Sequence, residues 1–159
     1  MQARTSTIRA AIPADIPALA ALWYEKMVIQ SQMDRRFMLL PDAQSRWSEA
    51  ARMWLTDTHY AVLAAESDAR VVGYAVGRIE PAPPGLLPDQ LGVIQEFALD
   101  AHSYQANTGR LLLASLKEWF AARQIAQIIV HASHRYAVEQ AFWRGLGATE
   151  WMDTLWMKL

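Results

Sequence analysis

The stretch SYQANTGRLLL, Ser103 to Leu113, joins a short polar run with one glycine and one arginine to the first turn of an apolar helix. Just before it, LGVIQEFALD (91–100) is dense in β-branched and aromatic residues and reads as a central strand. Just after it, NTGRLLLASLKEWFAARQ (107–124) sets Leu112, Leu116, Trp119 and Phe120 inward, with Arg110, Lys117 and Arg123 outward, which is an amphipathic helix. A strand, a turn and a helix start in that order can hold an anion, because the first N–H groups of a helix are unpartnered and the helix dipole adds to their attraction. The same residues also suit an ordinary helix capped by Asn107 or Thr108. The stretch alone leaves both readings open.

Outward from it, TEWMDTLWMKL (149–159) is expected to be a last strand, and YAVEQAFWRGLG (136–147) a helix stopped by a left-handed Gly147. AQIIVHA (126–132) is a short buried strand. Upstream, PAPPGLLPDQ (81–90) is a loop, since its prolines remove donors and fix φ. HYAVLAAE (59–66) and RVVGYAVGRIE (70–80), joined by SDA, read as a β-hairpin without a turn glycine. STIRAA (6–11) suits an edge strand. Pro13 and Asp15 then open a helix with Ile16, Leu19, Ala20, Trp23 and Met27 on one face; a second follows Pro41 and Asp42, with Trp47, Ala51, Trp54 and Leu55 as its stripe. The order is β-α-α-β-β-β-α-β-α-β, an α/β or α+β sheet with helices on both faces. The Trp and Met residues between Trp23 and Trp54 are expected to pack the first two helices onto the sheet.

The 159 residues suit one domain, 1–159, with no internal repeat or linker. A net charge of −1 supplies no field toward nucleic acid or an anionic membrane, so neither is expected as a partner. The absence of Cys excludes disulfides, thiolate metal sites and a Cys nucleophile, and points to a reducing cytoplasm. The start MQARTSTIRAAIPAD does not read as a signal peptide, and no apolar run is long enough to span a bilayer. His131 and His134 lack a matching carboxylate spacing, so no metal is expected. His59 and His102 lack a recognisable catalytic partner.

The element order, the acidic residue in the strand before the turn and helix, and the ending FWRGLGA together resemble the GCN5-related N-acetyltransferase (GNAT) family, over Ile8 to Leu159. The resemblance implies a mixed, mostly antiparallel sheet and acetyl-CoA as co-substrate. In that family a Gln/Arg-x-x-Gly-x-Gly/Ala loop holds the pyrophosphate. Kept in register without a gap, Tyr104 takes the Gln/Arg place, Asn107 the first Gly place and Gly109 the second; a one-residue deletion puts Gln105 first instead. Asn107 can preserve the loop's path, because Asn tolerates positive φ. By resemblance the cradle comprises Tyr104, Gln105, Ala106, Asn107, Thr108, Gly109 and Arg110, with the Thr108 hydroxyl and the Arg110 charge beside the phosphates. Pantetheine would pair with the strand at Phe97, Ala98 and Leu99.

Two further residues carry chemistry in that family's pattern. Glu96, which strand alternation puts on a face with Ile94 and Ala98, stands where the family often places a base for the incoming amine. A salt bridge at the sheet edge is its alternative. Trp143 stands where the family commonly keeps a proton-donating Tyr, and is either a contact for the thioester or a core residue; indole is no practical acid. The expected reaction is direct transfer of acetyl from acetyl-CoA to a primary amine of a small molecule or peptide, with a homodimer left open. The alternative is a non-catalytic module of the same fold that binds acyl-CoA as a sensor or interaction domain.

Overall fold

Trp47 shows how one half of the fold is assembled. It stacks on Trp23 at 5.9 Å and meets Trp54 and Tyr74 edge-on at 5.6 and 5.5 Å. Those four rings come from three elements of a computed structural model that describes residues 6–101 and 107–159. Trp23 lies on α1 (Ile16–Met33), Trp47 and Trp54 on α2 (Ala43–Trp54), and Tyr74 on a strand. Aromatic edge-to-face pairs add to the burial of large apolar area, so this cluster binds both helices to the sheet. Apart from Met27, the stripes expected for the two helices are the ones that pack there.

The sheet has five strands in the order β1-β2-β3-β4-β5. They are β1 (Thr7–Ala10), β2 (Tyr60–Ser67), β3 (Arg70–Pro81), β4 (Gln90–Leu99) and β5 (Ile128–Val130). The first four pair antiparallel and β5 joins β4 in parallel, which is the mixed, mostly antiparallel sheet expected. β2 and β3 turn through Asp68 and Ala69 at φ 50° and 59°, so two positive-φ residues make the tight hairpin turn without glycine. Arg9 ties the entry together: it donates to both Asp15 carboxylate oxygens at 2.7 and 2.9 Å and to Glu66 at 2.9 Å.

α1 and α2 cover one face, burying Leu19, Ala20, Ala51 and Val76 with the aromatic cluster. On the other face α3 (Thr108–Ala121) buries Leu112, Leu116 and Phe120, and α4 (Ala137–Gly145) adds Trp143. Gly147 closes α4 at φ 92°.

Two expectations change. The segment 149–159 forms no ladder and is exposed, although its apolar residues suggest a strand. β5 offers an edge of three residues, and the segment is instead held by polar contacts, Glu150 to Arg144 and Asp153 to His134. Second, the β3–β4 register slips by one residue: Val76 opposes Glu96 while Gly77 opposes Ile94, leaving Gln95 as a bulge. A bulge reverses the facing of everything beyond it. Ile94 therefore packs in the α3-side core, whereas Ala98 belongs to the α1–α2 side with Tyr74, which Glu96 also meets. Ile94 does not share their face.

Gly92, at the start of β4, tests how tightly the α3 side is packed. A Cβ there would lie 2.7 and 2.9 Å from two ring atoms of Phe120, itself fully buried, and 3.1 Å from Ile125. Gly92→Ala is expected to lower the free energy of urea unfolding by about 1–3 kcal/mol through overpacking. Gly85→Ala, in open space but at φ 84°, would lose stability only through local strain.

Candidate functional site

β4 belongs to two ladders at its start and one at its end. β5 pairs with Gly92, Val93 and Ile94 only, and β4 then runs on to Leu99 with no strand on that flank among the described residues. Asp100 donates its N–H to Val72 on the β3 side at 2.8 Å. Since backbone direction alternates along an antiparallel strand, the N–H and C=O groups of Phe97 and Leu99 point the other way, into the gap that β5 leaves. A cavity of about 270 Å³ occupies that gap. Phe97, Ala98 and Leu99 form its floor, Phe142 and Trp143 of α4 one wall, and Leu22, Lys26 and Ile29 of α1 the other.

The cavity is mostly apolar, but one polar contact spans it. Lys26 Nζ donates to the Phe97 carbonyl at 2.9 Å and to Glu139 Oε1 at 2.8 Å, and Gln30 donates to the other Glu139 oxygen at 3.4 Å. The two charged side chains are only 20% and 11% exposed, so the pair is largely desolvated and links α1, β4 and α4. Neither residue stood out in the sequence. Their separation along the chain hides the pairing, and the only hint is a charge on an otherwise apolar helix face.

Glu96 sits one pleat behind the floor, on the α1–α2 side. Its carboxyl is raised to about 7, chiefly by burial and also by Glu139, against the lowering influence of the Lys26 charge, the Trp47 indole and the Tyr74 hydroxyl. Tyr74 donates to Glu96 Oε2 at 3.4 Å. Its own pKa is raised by burial and by Glu96, so it stays protonated and keeps that donor. The buried Trp47 N–H meets no partner in full hydrogen-bond geometry. Glu96 is thus a carboxyl that changes charge near neutrality, beside a lysine that reaches into the cavity.

Trp143 is a core residue that also lines the cavity. It is buried in the α3-side core, 5.1 Å from Phe97 and 4.9 Å from Phe142 by ring centroids, and it also lines the cavity. Its indole N–H is buried and meets no partner among the described residues.

At the start of α3, Asn107 holds the left-handed conformation, φ 60° and ψ 8°, the backbone that glycine would otherwise supply. Among the described residues Leu111 is the first to bond back, to the Asn107 carbonyl at 3.1 Å; the N–H groups of Thr108, Gly109 and Arg110 belong to the first turn, where a helix supplies no carbonyl of its own. The Thr108 side chain departs from expectation. It is fully buried and shares a 2.7 Å hydrogen bond with Ser6, so its hydroxyl turns inward to β1 and away from any bound anion. Gly109 is buried too, and a Cβ on it would come within 3.0 Å of the Phe142 ring and 3.2 Å of Leu99. Arg110 is exposed. Tyr104, Gln105, Ala106 and His102 lie outside the described residues.

The chain matches the sequence profile of the acetyltransferase (GNAT) family over residues 26–148. No curated protein sequence matches it. Solved structures are similar along nearly the whole length. An aminoglycoside antibiotic 6'-N-acetyltransferase from Acinetobacter haemolyticus is 14% identical with a TM-score of 0.77, over 96% of this chain and 97% of that one. A mutant protein from Bacillus halodurans is 18% identical with a TM-score of 0.83, over 96% and 99%. The aminoglycoside N-acetyltransferase AAC(6')-Iy in complex with CoA is 16% identical with a TM-score of 0.75, over 99% and 97%. With the profile running from α1 to the end of α4 and the fold shared on either side, the chain belongs to the GNAT acetyltransferase family.

Proposed function

We propose that the whole chain acts as one acetyl-CoA-dependent N-acetyltransferase domain, in which a primary amine attacks the thioester directly. The observation that carries this reading is the bare flank of β4 beside the cavity, with Glu96 one pleat away. A pantetheine arm laid along that flank meets the outward N–H groups of Phe97 and Leu99 and the Leu99 carbonyl, the Phe97 carbonyl being taken by Lys26, and a thioester carbonyl there can take a strand N–H as its oxyanion donor. The phosphates then fall toward the start of α3, where the first-turn N–H groups and Arg110 supply attraction. Tyr104, Gln105 and Ala106 complete the cradle in this reading. The CoA complex of a protein with the same fold supports the choice of co-substrate.

Glu96 takes the proton that a protonated amine must lose, and it does so through water, since it lies behind the cavity floor. Departure of CoA is assisted by the Trp143 N–H, a donor without a partner, while water supplies the proton that indole cannot. The acceptor is a primary amine on a small molecule or peptide, and the place of work is the cytoplasm, where acetyl-CoA meets a Cys-free chain.

Glu96→Gln keeps the volume of the side chain and removes the base. Turnover of an amine should fall by about 10²–10⁴-fold with acetyl-CoA affinity held. The wild-type pH–rate profile should bend near 7, falling on the acid side as Glu96 gains its proton, and that bend should vanish in the variant. Stability gives an independent reading. A carboxyl whose folded pKa lies above its unfolded value loses stability as pH rises from about 4.5 through 7, so the excess in melting temperature of Glu96→Gln over wild type should grow from about pH 4.5 to 7 and level off above. A normal rate with the bend intact would make Glu96 structural.

Arg110→Glu reverses an exposed charge at the cradle without disturbing the core. Calorimetry should show acetyl-CoA binding weakened by about tenfold or more, about 1.4 kcal/mol, with the melting temperature unchanged. Equal affinity would remove Arg110 from the site. Thiol release across an amine panel, run beside the calorimetry, separates an enzyme from a module that only binds acyl-CoA.

A further inference from the structure

The amine nearest to the proposed thioester position belongs to the chain itself. Lys26 Nζ rests on the carbonyl of Phe97, one of the two β4 residues whose backbone faces the cavity, and it is close enough to Glu96 for its charge to lower that carboxyl's pKa. Its ammonium is held from two sides, by a backbone carbonyl at 2.9 Å and by Glu139 at 2.8 Å. That is the arrangement an acceptor amine would need: a primary ammonium fixed beside the strand that orients the thioester, with a carboxyl near enough to feel its charge and to take its proton by way of water.

We propose that Lys26 is an acceptor in its own right, and that the chain acetylates it from acetyl-CoA within the same molecule. The inference rests on the reading of the cavity as the thioester slot. The ammonium gives one proton through water to Glu96; the free amine adds to the thioester carbonyl carbon; the C–S bond breaks; and the second proton lost from nitrogen ends on the departing thiolate. The products are Nε-acetyl-lysine, the CoA thiol and a proton on Glu96. The acetylated nitrogen is neutral, so Lys26 no longer counters Glu139, and the ion pair between α1 and α4 is lost.

The sequence supplies its own references, because Lys26, Lys117 and Lys158 are the only lysines. Lys117 and Lys158 are exposed, whereas Lys26 is four-fifths buried in its side chain. Uncatalysed acetylation favours exposed amines, so a preference for the buried one reports the site. The purified full chain is incubated with isotope-labelled acetyl-CoA at near-neutral pH, and labelling at each lysine is followed by peptide mass spectrometry. Lys26 should label faster than Lys117 and Lys158 by about 10²-fold or more, with a rate constant independent of protein concentration. Lys26→Arg should remove that label and leave the slow labelling of the other two. Glu96→Gln, confirmed as folded by its melting curve, should slow Lys26 to the rate of the exposed pair.

Labelling of Lys26 no faster than Lys117 and Lys158, with an amine panel still releasing CoA thiol, would overturn the inference and leave the acetyltransferase reading standing. A rate that climbs with protein concentration would overturn acetylation within one molecule. No thiol release with any amine, together with no calorimetric binding of acetyl-CoA, would remove both.

Discussion

The bulge at Gln95 and the early end of β5 act on the same strand, and the site follows from the pair of them. Before the bulge β4 is an interior strand, with β3 on one side and β5 on the other, and its side chains serve the core. After it, the facing has reversed and one flank has lost its partner. The reversal carries Glu96 to the side of α1 and α2, where a carboxyl can meet Tyr74 and Lys26 instead of the leucines of α3. The lost partner leaves the backbone groups of Phe97 and Leu99 to be satisfied from elsewhere. Unpaired backbone groups beside an apolar cavity are costly to leave alone. Lys26 satisfies one of them, the carbonyl of Phe97, and a ligand amide can satisfy the others.

Burial and charge then work against each other around Glu96. Desolvation is the larger influence and favours the neutral acid; Lys26 is the largest opposing one. Glu139 pairs with that same lysine and also repels Glu96, so the three groups form a coupled set of two carboxyls and one ammonium. A neutral Glu96 leaves the lysine to Glu139, and an ionised one puts a second negative charge beside it. The poise near neutrality therefore depends on where the ammonium sits, and any change in Lys26 is felt at Glu96 without contact between Glu96 and a ligand.

Much of this fold was legible in local patterns. The hairpin was read correctly without a turn glycine, the amphipathic stripe of α3 packs as its spacing requires, and Asn107 has the positive φ its chemistry permits. What depends on partners far along the chain was not. Strand alternation predicts Ile94 on the face of Glu96, and a bulge cannot be seen in alternation because it is decided by how β3 and β4 pair. The Thr108 hydroxyl reads as a ligand group until Ser6 of the opposite terminus claims it. The last segment looks like a strand, yet a strand requires an edge long enough to receive it. Lys26 and Glu139 were invisible for the same reason: an ion pair between two helices distant in sequence leaves no periodic trace.

Gly109 shows how closely the cradle and the cavity are joined. As the one glycine in its loop, it reads as room for a phosphate, but the space where its Cβ would go is filled by the Phe142 ring and by Leu99. Phe142 in turn packs against Phe97 and Trp143 at 5.5 and 4.9 Å, so a single aromatic layer lies between the start of α3 and the cavity wall. A side chain at Gly109 would push first on that layer, which means that the glycine is required by packing whether or not an anion is bound. The same contact gives the two ends of a long ligand a common support. Phe142 thus backs Gly109 at the start of α3 and at the same time forms the wall against which a thioester would lie.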